Sequence, residues 1–371
     1  MNIGLIGFGI MGKTHAYAVA NLPFFYQQIP FEAKYYGVCT KNPEHARQAA
    51  KTFGIPHVYE TEDDLIADPN INIVDICTPN NCHYETIVKA LAAGKHVLCE
   101  KPLCVSEAQA EKVTLQAQMT DLTAGIVFNN RFLLPVMRAK ELIESGRIGR
   151  ILSFRGAYYH SSATDATKKA GWKQNRDICG GGVLFDLGSH ILDLIYYLCG
   201  AYEEVCGMSH IAYPVRTGMD GKPWETNADE AFYLMARLRS GAVGTIETGK
   251  IFAGTNDDLT FEIYGTDGAL KFDLMNPNWL YFYDKHADEL GFTRIECVGR
   301  YPAPGGAFPG AKAPVGWLRG HVGSMYSFLE HVAAGTQAEP SFSDALHIQS
   351  VMEAAYNSAE SGRWEQVKFY E

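Results

Sequence analysis

Two α/β domains, the first wound on a parallel sheet and the second built on a large, open, mostly antiparallel sheet, are what these 371 residues predict. Three observations carry that expectation. Strand-like and helix-like runs alternate through the first third of the chain. A glycine-rich turn separates the first strand from the first helix. From about residue 150 the texture changes to period-2 strands with few helices between them. At roughly 100–200 residues per domain, the length and the 47% hydrophobic content support two ordinary cores. The expected division places residues 1–128 in the first domain and 129–371 in the second.

Ile3 to Ile6 form the first strand, and Gly7-Phe8-Gly9-Ile10-Met11-Gly12 follows at once, leading into the helical run KTHAYAVANL. G-x-G-x-x-G in this strand–helix context is the fingerprint of a Rossmann dinucleotide site. Gly7 permits the tight turn, Gly9 lets the backbone approach a pyrophosphate, and Gly12 lets helix and strand pack closely. The positive end of the helix then faces the phosphates. The aromatic stretch Pro23-Phe24-Phe25-Tyr26 reads as core packing or as a wall of the active site, with packing the preferred reading. The next strand, Tyr35 to Thr40, ends on a hydroxyl followed by Lys41, where an acid commonly holds the ribose of NAD. A hydroxyl and a cation tolerate a 2′-phosphate, so NAD and NADP both remain open.

The strand Ile71 to Pro79 precedes the helical run NNCHYETIVKALAAGK. Lys95 to Cys99 is a further strand, ending in Glu100-Lys101-Pro102, and the alternation closes with Ala124 to Phe128. Ligands gather at the carboxyl ends of such strands, where Thr78, Pro79, Asn80, His83 and Lys101 fall.

In the second part Ile151 to Tyr159 is a strand. Phe232, Leu234, Ala236 and Leu238 alternate with other residues, as do Leu259, Phe261 and Ile263. Gly265-Thr266-Asp267-Gly268 reads as a hairpin turn before Ala269 to Phe272, and Trp279 to Tyr283 is another strand. One sheet face is expected to pack on helices and a broad apolar opposite face to favour self-association. Among these strands Gly180-Gly181-Gly182 introduces a helix with an apolar face of Leu184, Leu187, Ile191, Leu194 and Ile195. Asp186 and His190, four apart, share one side, and Asp193 lies three further on. From spacing alone two readings stand. Asp186 caps the helix and His190 is a core histidine, or the two form a catalytic pair beside a helix start opened by glycine.

Composition narrows the partners. A net charge of −10 argues against nucleic acid and anionic membranes as partners. Nine cysteines without a C-x-x-C pair read as reduced thiols. Cys82-His83 has no matching ligand pair, so no metal is expected. No apolar run approaches the ~20 residues of a membrane span, and MNIGLIGFGIMG lacks the basic start of a signal peptide, so the cytoplasm is the expected location.

Taken in order, several motifs make the chain similar to the Gfo/Idh/MocA oxidoreductases, the relatives of glucose–fructose oxidoreductase and inositol dehydrogenases. They are the N-terminal glycine turn, Thr78-Pro79-Asn80 with His83, Glu100-Lys101-Pro102, Asn130-Arg131-Phe132, the Gly-Gly-Gly run leading to Asp186-x-x-x-His190, and the tail from Ser343-Asp344 to Ala354-Ala355-Tyr356-x-Ser358-Ala359. The resemblance implies a Rossmann domain followed by an open-sheet α/β domain that assembles as a homodimer or homotetramer. It implies that NAD or NADP lies along Gly7 to Gly12, Thr40, Lys41, Thr78, Pro79, Asn80, His83, Glu100, Lys101, Asn129 and Arg131.

It also implies that Lys101 hydrogen-bonds the reacting hydroxyl and that Asp186 and His190 are the catalytic pair. His190, with an ordinary pKa of ~6.5, is expected to accept the hydroxyl proton as hydride leaves, with Asp186 orienting its ring. The implied substrate is a sugar, cyclic polyol or glycoside, oxidised at a secondary hydroxyl such as pyranose C3. Tyr158, Tyr159, His160, Trp172, Lys173 and Asn175 are the expected pocket wall, since aromatic faces and amides suit sugars. Transient oxidation driving glycoside cleavage, and a non-catalytic NAD(P)-binding sensor, are the alternatives.

Overall fold

The computed structural model describes residues 1–26, 28–299 and 316–370. Among these, Met1–Phe132 with Gly316–Leu346 form one compact unit, and Leu133–Gly299 with residues 347–370 form another.

The first unit is wound on six parallel strands: β1 (Asn2–Ile6), β2 (Lys34–Cys39), β3 (His57–Tyr59), β4 (Ile73–Ile76), β5 (His96–Cys99) and β6 (Ala124–Ile126). Their order is β3-β2-β1-β4-β5-β6. The order reverses between β1 and β4, the switch point at which α/β sheets bind ligands. The strands are near-continuous apolar runs because both faces are covered: Ile3, Leu5, Ile73, Val74, Val97 and Leu98 are buried. Side chains cap three of the intervening helices. Asn42 accepts from Glu44 N, Thr61 from Asp64 N and Ser106 from Gln109 N.

The expected boundary near 128 leaves out one segment of this unit. The helix Trp317–Ala334 packs on the first helix, Ile10–Phe25. Val322, Met325, Tyr326 and Leu329 join Val19, Leu22 and Tyr26 in one buried cluster. The Tyr26 and Tyr326 rings stack at 3.9 Å, and the Arg319 guanidinium lies 4.5 Å from the Phe25 ring centroid. The aromatic stretch that closes the first helix is thus packing, although Phe24 faces outward.

The second unit is built on β7 (Ile151–Tyr159), β8 (Tyr202–His210), β11 (Ala231–Leu238), β12 (Val243–Gly249), β13 (Asp258–Gly265), β14 (Gly268–Asp273), β15 (Trp279–Asp284), β16 (Phe292–Glu296) and β17 (Glu365–Gln366), with β9 (Val215–Thr217) and β10 (Pro223–Glu225) as a separate ribbon. The large sheet runs β16-β15-β14-β13-β7-β12-β11-β8-β17. Only β7–β12 is parallel among its pairs. Phe154, Tyr158, Ile246, Phe261 and Ile263 point inward, where Leu184, Ile191, Leu194 and Ile195 of the glycine-led helix are also buried. Arg176–Cys199 is a 24-residue helical stretch apolar enough to resemble a membrane span, which the sequence reading overlooked; 83% of its most apolar 18-residue window is buried, as befits a core helix.

The opposite face differs from the broad apolar surface expected. Outward positions alternate aromatic and charged groups. Tyr159 donates to Glu247 at 2.6 Å, and Lys271 pairs with Glu262 at 3.1 Å beside Arg155, Thr260 and Tyr281. Exposed Met235 and Val243 share this face, since the strand alternation requires apolar residues only on the inner side.

Candidate active site

The first unit supplies a nucleotide cradle. Gly7 has φ +93°, and a Cβ there would strike the Cys77 carbonyl at 2.5 Å; a Cβ on Gly12 would strike the Gly7 carbonyl. Both positions therefore require glycine. A Cβ on Gly9 meets nothing within 4 Å, and no side chain caps the helix that begins at Ile10, itself 80% exposed. The Thr78 hydroxyl at the β4 end is buried without a hydrogen-bond partner. An open backbone approach, an uncapped helix start and an orphan hydroxyl together fit a dinucleotide phosphate.

Several expected cofactor residues have other partners. Thr40 donates to the Asn42 carbonyl at 2.6 Å, while Lys41 is exposed. His83 is buried with its ring nitrogens 2.9 Å from the Pro102 carbonyl and 3.1 Å from the Thr78 carbonyl. Burial lowers its pKa. The ring thus braces the loops after β4 and β5 from inside and presents neither nitrogen to a groove. Asn80 is buried at the start of the helix Asn80–Ala92, with Pro79 preceding it. Asn129 is buried and donates to the Asn130 side chain, and Arg131 pairs with Asp344 at 3.4 Å. Phe8 meets the Phe53 ring edge-on at 5.4 Å.

Glu100 lies in a buried cluster that the sequence reading missed. His15 Nδ1 is 2.9 Å from Asp75, and its Nε2 is 2.9 Å from Glu100 Oε1. Tyr35 donates to Asp75 at 2.6 Å, and Glu100 Oε2 accepts from the Lys101 N–H at 3.2 Å. Burial works to lower the His15 pKa, but the neighbouring Asp75 and Cys77 lift it well above the ordinary value. His321, whose ring lies 6.2 Å from that of His15, has its pKa driven well down by burial, then by His15 and Lys101. Ligand atoms of His15, Glu100 and His321 lie within 4.8 Å of one another, but both His15 nitrogens are engaged by carboxylates.

The second unit gathers a different set. Lys173 reaches both Asp186 oxygens at 2.9 and 2.8 Å, and Lys250 reaches Asp186 at 2.7 Å. The helix start is capped by buried Asp229, which accepts from Gly182 N at 3.0 Å and Leu184 N at 3.1 Å and from Tyr356. Asp186 is therefore not the cap, and the first of the two sequence readings is set aside for it. Gly182 is needed because a Cβ there would strike the Asp229 backbone, so the glycine run serves an internal close approach. Leu184–Gly188 is a π-helical turn before the α-helix Ser189–Cys199, a distortion frequent at functional sites.

His190 is half-buried, 6.0 Å from the Tyr158 ring in an edge-on arrangement. Tyr158 donates to Asp257 at 2.5 Å, and His160 Nε2 lies 2.9 Å from the same oxygen. Burial raises the Tyr158 pKa, and the Asp257 charge adds to it. Burial pushes Asp257 up, but the bonds from His160 and Tyr158 hold its pKa below the usual value.

Of the expected pocket wall, Tyr158, His160 and Lys173 join this network, and Trp172 is 40% exposed beside Lys173. Asn175 instead caps the turn Arg176–Cys179 through Asp177 N. Tyr159 points to the other sheet face, as period 2 demands after Tyr158. The segment leading to Trp172 is tied down by Arg216. It pairs with Glu230 at 2.6 Å and donates to the Ala163 and Asp165 carbonyls at 2.8 Å, while Ala170 N bonds the Thr217 carbonyl. Lys250 and Asp257 went unremarked because nothing in their local spacing marks them; strand register brings them to Asp186 and Tyr158.

Comparison with known proteins identifies the family. The sequence model described as an oxidoreductase family with an NAD-binding Rossmann fold matches residues 1–128, and that of the GFO/IDH/MocA C-terminal domain matches residues 136–271. A levoglucosan dehydrogenase of Pseudarthrobacter phenanthrenivorans is 32% identical over 379 residues, covering 98% of this chain and 97% of the relative. A glucose-6-phosphate 3-dehydrogenase of Bacillus subtilis is 28% identical, covering 95% of this chain and 94% of the relative. A solved levoglucosan dehydrogenase in complex with NADH and levoglucosan superposes with a TM-score of 0.97 at 32% identity over 100% of both chains. The chain belongs to the Gfo/Idh/MocA family of NAD-binding oxidoreductases.

Proposed function

We propose that this chain is an NAD-dependent sugar dehydrogenase that oxidises a secondary ring hydroxyl, at C3 of a pyranose or anhydropyranose, with Lys101, Asp186 and His190 as its catalytic groups. The observation that carries the reading is the second unit's polar network: a half-buried imidazole beside a buried tyrosine, next to a carboxylate held by two ammonium groups. Such a network binds several hydroxyls and manages one proton. The relatives named for levoglucosan and for position 3 of glucose 6-phosphate support the substrate class.

When bound, the nicotinamide would supply the hydride acceptor. His190 takes the hydroxyl proton on a ring nitrogen. Lys101 places positive charge where alkoxide character develops. Asp186, fixed by Lys173 and Lys250, holds the charge balance around the imidazolium that results. Thr40 and Lys41 offer no carboxylate to a ribose, and NAD is assigned from the NAD-binding family match.

Levoglucosan, glucose, glucose 6-phosphate and myo-inositol should be incubated with NAD and with NADP, following absorbance of the reduced cofactor. Turnover with NAD and a neutral sugar is the expected result. No reduced cofactor with any of the four, or release of a cleaved product without it, would overturn the reading. The aromatic and charged outer face of the large sheet, including Tyr159, Tyr281, Glu262 and Lys271, is assigned to contact with a second copy. Light scattering should give a multiple of the 41.0 kDa chain mass; a monomer at micromolar concentration would sink that assignment. The reduced thiols suit the cytoplasm, which a reducing-compartment fractionation would test.

A further inference from the structure

We infer that His15 is a positioning residue for hydride transfer: its doubly hydrogen-bonded ring fastens the cofactor helix to the Glu100–Lys101 turn and so sets where the Lys101 ammonium stands. The inference rests on the reading that Lys101 acts on the substrate hydroxyl.

The geometry is a chain of single contacts within the first unit. His15 belongs to the helix Ile10–Phe25, which begins at the glycine turn. One ring nitrogen meets Asp75 of β4 at 2.9 Å, and the other meets Glu100 Oε1, just past β5, at 2.9 Å. Glu100 Oε2 accepts the Lys101 N–H. Tyr35 of β2 closes the network by donating to Asp75. The ring is 2% exposed, so water does not substitute for either contact. A neutral imidazole donates one hydrogen bond; only the imidazolium donates two, one to each carboxylate. Two buried carboxylates, on β4 and just past β5, therefore agree on a protonated His15. No other described role in the site uses this ring.

The groups facing His15 are Asp75 and Cys77, Glu100, Tyr35 through Asp75, and His321, with Lys101 beside His321. Burial pushes the Cys77 thiol up to about 12, and burial leads the shift that raises the Tyr35 phenol, so both stay protonated near neutrality. Burial drives His321 well down, so it stays neutral. His15 and the Lys101 ammonium are thus the groups of this cluster left to lose a proton on the alkaline side, and Asp75→Asn, which acts on His15, tells them apart. The folded pKa of His15 lies above the unfolded ~6.5. Its stabilising contribution is complete below that unfolded value and is lost as pH rises through the folded pKa. Losing the proton opens one arm of the clamp, so kcat should fall there.

The test measures kcat against pH, the NADH dissociation constant by fluorescence, and circular dichroism for the native chain, His15→Gln, Asp75→Asn and Lys101→Ala. The native kcat profile should show an alkaline fall. His15→Gln should lower kcat on the order of 10–100-fold, as a small misplacement of a catalytic group does, and should change NADH binding much less. Asp75→Asn removes the carboxylate that lifts His15, so the alkaline fall should move to lower pH. A native profile flat to high pH overturns the inference without any variant. So does a folded His15→Gln chain with native kcat, or a folded Asp75→Asn chain with an unmoved profile. Near-native activity in Lys101→Ala defeats the underlying reading instead; an inactive Lys101→Ala with a native-like His15→Gln defeats this inference alone.

Discussion

Replacing His190 by alanine is expected to lower kcat by about 10²–10⁴-fold, the range that a positioned general base contributes, while NADH still binds. Binding should survive because the glycine turn and the helix it starts lie in the first unit, whereas His190 belongs to the second. The fold should survive as well. The ring is half-buried and meets the Tyr158 ring edge-on at 6.0 Å, and Tyr158 keeps its own hydrogen bond to Asp257. The loss should therefore appear in kcat with little change in thermal melting. Stopped-flow measurement of cofactor reduction, alongside NADH fluorescence, checks this. A variant that reduces NAD at near-native rate removes His190 from the mechanism.

Lys101→Ala should cost about 10²–10³-fold in kcat, the scale seen when one donor to a developing oxyanion is lost. Lys101→Arg should restore little of it. A guanidinium is a broad planar fork, whereas the position calls for a compact ammonium on a flexible stem. The backbone at Lys101 is anchored independently of its side chain, since its N–H bonds Glu100. The turn should keep its place in either variant. Full recovery by arginine would mean that Lys101 contributes charge without a defined position, and the role assigned to it would need revision.

The parts of the molecule legible in sequence were those where one physical rule decides locally. The glycine turn was readable because Gly7 alone admits the observed φ. The parallel sheet was readable because strands covered on both faces become unbroken apolar runs, as Ile73 and Val74 show. The catalytic candidates Lys101, Asp186 and His190 were put forward mainly on motif order.

Less was legible where partners lie far apart in the chain. Asp229 caps a helix 45 residues before it, and Lys250 answers Asp186 across 64 positions. His15 pairs with Asp75 and Glu100, 60 and 85 residues away. No periodicity carries such information, because these pairings follow from strand register and sheet order. Asn175 and His83 misled for a related reason: an amide or imidazole near a site satisfies a backbone group as readily as a ligand.

The return of Trp317–Ala334 to the first unit has a consequence for cutting the gene. A fragment ending near residue 130 would keep all six parallel strands and the glycine turn, yet it would lay bare Val19, Leu22 and Tyr26, which the returning helix helps cover. The nucleotide half of this protein is thus sewn together from two stretches, Met1–Phe132 and Gly316–Leu346, that lie far apart along the polypeptide. It completes itself only after synthesis has passed through everything in between.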